Sequence, residues 1–179
     1  LGDEYFMRRA LRLALTAAEQ DEVPVGAVVV HDGKIIARAH NLTERLTDVT
    51  AHAEMQAITA AANHIGGKYL DECTLYVTLE PCSHHGRTPP CADALIAAGI
   101  SRVVAAIEDP NPQVAGTGMA KLHRAGLATE IGLLADEARE MNIGFFSRMQ
   151  RGRPWVRMKI AASLDGRTAL PDGTSQWIT

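Results

Sequence analysis

The chain has few aromatic residues, few cysteines and nearly balanced charge. Aromatics make up 4% of its 179 residues, which weakens any reading that needs stacked platforms for single-stranded nucleic acid. A formal net charge of −3 supplies no general attraction for phosphate backbones. Three cysteines make an odd number, which predicts no disulfide framework and fits a reducing cytoplasm. The apolar runs, such as Val25 to Val30 and Val103 to Ile107, fall far short of the roughly 20 residues that span a bilayer. Leu1-Gly2-Asp3-Glu4 carries no positively charged leader, and no internal repeat or low-complexity segment appears. The remaining composition, 46% hydrophobic and 22% charged, is that of an ordinary globular chain. Its length suits one domain with a short extension.

Hydrophobic periodicity predicts an amphipathic helix from Asp3 to about Gln20, closed by Pro24. A buried strand, Val25 to Val30, should turn through Asp32-Gly33 into a hairpin partner, Ile35 to Ala39. Asn41 to Thr50 is polar and aperiodic and reads as a loop. Ala51, Met55, Ile58, Ala62 and Ile65 mark a second helix, ended by Gly66-Gly67. Strands are expected at Thr74 to Leu79, Val103 to Ile107 and Leu127 to Ile131. Helices are expected at Ala92 to Ala98, at about Gly118 to Ala125, and at Ala135 to Gln150. A hairpin followed by βα alternation predicts a mixed five-stranded sheet with helices on both faces, a three-layer αβα fold. Residues 1–150 would form this domain. Residues 151–179 read as a linker and the start of a further domain, with a strand from Trp155 to Ala161.

The motif that carries chemistry is His52-Ala53-Glu54, followed by Pro81-Cys82 and then Cys91. It offers one imidazole, two thiolates and one carboxylate that is not a ligand. Zinc that activates water needs three protein ligands, an open fourth position and a proton shuttle nearby. H-x-E followed by P-C is the signature of zinc deaminases that act on cytosine or adenine rings. His52 and Glu54 fall in the first turn of the second helix. Cys82 and Cys91 fall near helix amino ends, where anionic sulfur is favoured. Glu54 would then take the proton of the activated water and deliver it to the ring nitrogen and the leaving ammonia. A structural site, closed by His84 or His85 as fourth ligand, is the competing reading.

These residues resemble the cytidine deaminase-like superfamily, and two of its families are visible. From about Glu4 to Cys82 the text resembles a bacterial tRNA adenosine deaminase, through Glu22-Val23-Pro24-Val25-Gly26-Ala27, His40-Asn41 and Asp48 to Met55. From about Thr74 onward it resembles the bifunctional riboflavin-biosynthesis deaminase–reductase. That second likeness runs through Thr78 to Cys91, Asp109 to Val114, Ser163 to Thr168 and Ser175 to Thr179. In place of the short Cys-x-x-Cys spacing of the tRNA family, eight residues, Ser83 to Pro90, separate the two cysteines.

The second resemblance implies hydrolytic deamination of a diaminopyrimidinone ribosylamine 5′-phosphate, with Zn2+ on His52, Cys82 and Cys91 and with Glu54 as catalytic proton shuttle. It further implies that His84, Asp109 and Asn111 contact this nucleotide-like substrate, with Lys159 nearby. It places Ala161 and Trp177 at NADPH-contacting positions and Ser175 at a substrate-contacting one, in a full-length form that contains the reductase domain. The first resemblance implies that Asn41 hydrogen-bonds a flipped adenine in tRNA, and it suggests a homodimer. A third possibility, a folded zinc module with no productive substrate, stands beside these two.

Overall fold

The computed structural model describes residues 1–86 and 88–175. Its elements run α1 Asp3–Glu19, β1 Gly26–His31, β2 Lys34–His40, α2 Ala53–Ile65, β3 Thr74–Val77, α3 Cys91–Ala97 and β4 Arg102–Ala105. They continue with α4 Thr117–Arg124, β5 Ala128–Ile131, α5 Ala135–Met141 and α6 Ile143–Arg151. The five strands form one sheet in the order β2-β1-β3-β4-β5. The β1 strand pairs antiparallel with β2 and β3, while β3, β4 and β5 are parallel. The mixed sheet and both helical layers expected from the sequence are present.

The hairpin turn forms as its residues require, with Asp32 and Gly33 both at positive φ (48° and 68°), the geometry of a type I′ turn. Because β1 opposes both neighbours, its beginning lies beside the ends of β2 and β3, with Gly26 facing His40 and Ala27 facing Val77. The segments around Val25, Asn41 and Leu79 therefore meet at one rim of the sheet. The starts of β2, β3 and β4 meet at the other.

Helix α1 lies on one face against β1, β2, β3 and α5, and α2 covers β1 and β2 from the opposite face. Small residues set both distances. Ala53, Ala57 and Ala61 form the fully buried stripe of α2, so the helix sits close to the strands. The larger Met55 and Ile58 are only half-buried, and Ile65 is exposed. Gly26 fixes the α1 crossing, since a Cβ there would stand 2.1 Å from the Ala10 carbonyl oxygen and 2.5 Å from the Ala14 nitrogen.

Two expectations need correction. The helix expected over Ala135 to Gln150 is two helices broken at Asn142, whose φ of −103° leaves the helical range. The Asn142 Nδ2 donates to the Pro24 carbonyl (3.1 Å) and to the Ala138 carbonyl (3.3 Å), and the long-range bond anchors the break. Trp155 to Ala161 is not a strand, for it pairs with no other strand among the described residues and is exposed throughout. An isolated strand leaves its backbone groups to water and gains no ladder to hold it. No helix among the described residues is long and apolar enough to cross a membrane.

At the far rim, Arg102 donates to both carboxylate oxygens of Asp3 (3.1 and 2.7 Å) and to Glu130 (2.6 Å), and the Tyr76 hydroxyl donates to Asp3. The Arg102 and Tyr76 bonds hold the Asp3 carboxyl down at about 2, below its ordinary 3.8. Its contribution to stability is therefore complete above about pH 4 and disappears as pH falls towards 2. The carboxylate is partly exposed, so salt screens the effect. We expect Asp3→Asn to flatten the acid limb of the stability curve between about pH 4 and 2 relative to wild type, with a smaller difference at high salt. Urea titrations across that range check it. Gly26→Ala should lower the melting temperature by several degrees, as about 1–3 kcal/mol of overpacking does in a domain of this size, a shift that calorimetry reads.

Candidate active site

Chain reversal at the near rim brings the motif residues together. His52 stands in extended conformation (φ −68°, ψ 150°) immediately before α2 and gives that helix no side-chain cap. Asn41 caps it instead, its Oδ1 accepting the Ala53 N–H at 2.9 Å. Gln56 closes the same corner by donating to the His40 carbonyl (2.7 Å) and to the Ala51 carbonyl (3.1 Å). Cys91 is the first residue of α3. The Cys82 Sγ accepts its N–H at 3.2 Å, so both sulfurs lie at the amino end of that helix, as the sequence suggests.

One donor atom each from His52, Cys82 and Cys91 lies within 4.8 Å of the others, and no other such group of three occurs among the described residues. His52 Nδ1 and Cys91 Sγ are 3.4 Å apart. Tetrahedral zinc, with bonds of about 2.3 Å to sulfur and 2.0–2.1 Å to nitrogen, places such donors roughly 3.5–3.8 Å apart. The donor set fits that ion, and three protein ligands leave its fourth position free. His84 and His85 are exposed and stand outside the cluster.

Of the three donors, Cys82 alone is shifted towards its deprotonated, ligating form. The Cys82 thiol is pushed down to about 4, because the Cys91 thiol, His52 and the Cys91 N–H stabilise its thiolate against the cost of burial. Cys91, buried beside that thiolate, is pushed up. Hydrogen bonding to Cys82 raises His52, with burial opposing it. Glu54 is 4% exposed, and burial pushes its carboxyl up to about 7, near the point where it can both take and give a proton.

Glu54, His52 and Cys82 open onto a cavity of about 450 Å3, which is also lined by Asn41, Asp109 and Phe145. That volume lies within the range of small-molecule sites. Asn41 and Asp109 are thus brought to the metal cluster. His84 lies at a second, smaller hollow of about 300 Å3 that reaches His52 and Cys82 from the side of the Ser83–Pro90 insert. Asn111 lines neither hollow. Its backbone N–H donates to Asp109 Oδ1 (2.7 Å), and its own Oδ1 accepts from Gln113. Lys159 is exposed in the extended tail, while Ala161 and Ser175 line a hollow formed by the tail alone. Trp177 lies outside the described residues.

Sequence reasoning missed three buried polar residues in the cavity's surroundings. Glu22 accepts from the Thr43 hydroxyl (3.1 Å) and from the Glu44 and Arg45 N–H groups (3.0 and 2.8 Å). Burial works to raise its pKa, but these donors prevail and lower it. Glu80 accepts from four backbone N–H groups, those of Asp109, Gly116, Gly118 and Met119. Asn142 lines the cavity at the α5–α6 break. Only Asn142 left a local trace, a cap-type residue inside an otherwise helical run.

A part-buried His/Cys/Cys cluster at the rim of the mixed sheet of a three-layer fold, with a buried, protonatable carboxylate beside it, defines a zinc-deaminase type of centre. The chain belongs to the family of the cytidine and deoxycytidylate deaminase zinc-binding region, whose model matches residues 2–107. It is 50% identical over 181 residues to the riboflavin biosynthesis protein RibD of Escherichia coli (strain K12), covering 100% of this chain and 47% of that protein. The diaminohydroxyphosphoribosylaminopyrimidine deaminase/5-amino-6-(5-phosphoribosylamino)uracil reductase of Thermotoga maritima superposes with a TM-score of 0.85. That pair is 40% identical, covering 98% of this chain and 49% of the other. A structure from work on A-to-I editing by tRNA:A34 deaminases superposes with a TM-score of 0.68 at 39% identity, covering 76% of this chain and 98% of the other. The chain spans about half the length of the curated relatives it matches.

The donor set predicts about one zinc per chain on purification. Cys91→Ser should weaken zinc binding at least as much as the roughly 10–100-fold that loss of an outer-shell partner costs. Cys73→Ala, which alters a buried cysteine outside the cluster, should keep full zinc content. Elemental analysis after dialysis against a weak chelator reads both.

Proposed function

We propose that the chain is the deaminase part of a riboflavin-pathway enzyme, hydrolysing the ring amine of a diaminopyrimidinone ribosylamine 5′-phosphate. The observation that carries this reading is the convergence of His52, Cys82 and Cys91 beside the buried Glu54 on a cavity large enough for a nucleotide base and its sugar. The RibD relatives support the choice of substrate.

In this reading His52, Cys82 and Cys91 hold zinc, which when bound lowers the pKa of water towards neutrality and supplies a nucleophile. Glu54 takes one proton from the attacking water and gives it to the ring nitrogen, then carries the second proton of that water to the departing amine, which leaves as ammonia. The burial of Glu54, which favours the protonated form, helps it hold the proton between the two transfers. Asn41, held through its Oδ1 by α2, presents its amide nitrogen to the ring. Asp109 accepts from the ring's polar hydrogens. Val23, Pro24, Leu79, Met141 and Phe145 supply apolar walls that exclude bulk water.

Residues 151–179 are read as the linker and opening of a reductase-like unit, in keeping with relatives about twice as long. NADPH and the contacts of Lys159, Ala161, Ser175 and Trp177 belong to that complete unit. Three unpaired thiols fit a reducing compartment such as the cytoplasm. A homodimer is the assembly suggested for the deaminase part, and sedimentation checks it.

One observation favours a second substrate, adenosine in a tRNA anticodon loop: 39% identity to a structure from tRNA deaminase work, 98% of which this chain covers. The long insert between Cys82 and Cys91 and the higher identity to RibD weigh against it. Ammonia release with the pyrimidine phosphate, an anticodon stem-loop RNA and cytidine decides among the readings. Turnover of the first alone is expected. Turnover of the stem-loop, with salt-dependent binding, would replace it by the tRNA reading, and no ammonia from any of them by a zinc-bound, folded protein would leave a module without substrate. Glu54→Ala should keep near-stoichiometric zinc and lose about 10²–10⁴-fold in turnover. Retained activity in that variant would refute the proton-shuttle role.

A further inference from the structure

We propose that Glu80 is a positioning residue, whose carboxylate fixes the 108–119 segment to the end of β3 and so holds Asp109 at the cavity wall. The ligand of that wall rests on the deaminase reading above. The role of Glu80 rests on its hydrogen bonds alone.

Glu80 is 3% exposed, and all four of the donors it meets are backbone N–H groups. One oxygen accepts from Gly118 (2.8 Å) and Met119 (3.0 Å) in the first turn of α4. The other accepts from Gly116 (2.8 Å) and Asp109 (3.2 Å). The residue before α4 is Gly116, which has no side chain with which to cap it. Glu80 supplies that cap from 36 residues upstream. The approach is close, since a Cβ on Gly118 would stand 2.1 Å from the Pro81 carbonyl oxygen.

Capping alone does not require Glu80. Helices are ordinarily capped by a serine or aspartate at the residue before them, although Gly116, at φ 76°, would hold such a side chain only with strain. What a local cap cannot do is reach Asp109, which lies outside the helix and lines the cavity. Through Glu80 the backbone of Asp109 is tied to the same side chain as α4. The Asn111 N–H then orients the Asp109 carboxylate. One buried group thereby sets the distance between the Cys82 segment, two residues further on, and the acid on the opposite wall.

The test is Glu80→Gln, which keeps one acceptor oxygen and turns an amide NH2 towards two N–H donors. Three quantities are measured on the zinc-loaded protein: zinc content, amide hydrogen exchange, and kcat and KM for the pyrimidine phosphate. Zinc should remain stoichiometric. Exchange across 108–119 should quicken at least about tenfold while β1 and β3 stay protected, as loss of bonds to a charged acceptor implies for a local unit. KM should rise about tenfold with kcat within about threefold, the mark of lost binding rather than lost chemistry. In an Asp109→Asn background, Glu80→Gln should raise KM no further, because the two residues then act through one contact.

Unchanged exchange across 108–119 would overturn the proposal, and so would KM effects that multiply in the double variant. If the wild type releases no ammonia from the pyrimidine phosphate, the substrate reading falls while the exchange measurement still decides on Glu80. Where the amide variant does not fold, Glu80→Asp, which keeps the charge on a shorter stem, is judged by the same exchange criterion.

Discussion

Burying a carboxylate is costly unless donors surround it, and this protein buries three at one rim of its sheet. Glu22, Glu54 and Glu80 are each less than 5% exposed. Two of them are surrounded by donors: Glu22 collects a hydroxyl and two backbone N–H groups, and Glu80 collects four backbone N–H groups. Glu54 has its own N–H and the Cys91 thiol, which do not offset burial beside the Cys82 sulfur. Difference in solvation divides the roles. The well-solvated pair act as internal fasteners for the 41–50 loop and the 108–119 segment, and the poorly solvated acid remains chemically labile between them. Loss of either fastener would leave the third carboxylate and the metal donors in place but the walls around them unset.

The walls come from six separate parts of the chain. Val23 to Val25 precede β1, Asn41 and Thr43 follow β2, His52 and Glu54 stand at the start of α2, Leu79 to Cys82 follow β3, Asp109 follows β4, and Met141 to Phe145 span the α5–α6 break. The donor atoms come from only two of these regions plus the start of α3. Most of the lining stretches therefore carry no metal donor. A single family of zinc-binding chains can accordingly resemble both a riboflavin deaminase and a tRNA deaminase.

That division also explains what could be read from the sequence. His52, Glu54, Cys82 and Cys91 were legible because their residue types and spacing carry their chemistry. The hairpin was legible because Asp32-Gly33 is a local signal. Glu22 and Glu80 were not, since their partners lie 21–23 and 29–39 residues away and nothing in their neighbourhood announces burial. The break at Asn142 escaped because its anchor, the Pro24 carbonyl, is 118 residues distant. The strand expected at Trp155 to Ala161 failed for the opposite reason: its local propensity was strand-like, but no described strand pairs with it. Helix α2 was legible from the spacing of Met55, Ile58 and Ile65, while its fully buried stripe is made of the smaller Ala53, Ala57 and Ala61.

The reversed direction of β1 has a consequence for how such a chain can diversify. It sorts every strand end onto one of two rims, and the chemistry occupies only one. The His31–Lys34 turn and the segments entering β3, β4 and β5 all belong to the other, where the ties are structural, such as Asp3 to Arg102. Changes of length on that rim are insulated from the donor atoms by the depth of the sheet, about four residues of β3 or β4. Length changes on the near rim, by contrast, reshape the surroundings of the donor atoms, and in the Ser83–Pro90 segment His84, Gly86 and Thr88 line the second hollow beside them. The fold thus keeps its inheritance of reactivity and its experiments in specificity at one end, and leaves the other free to drift.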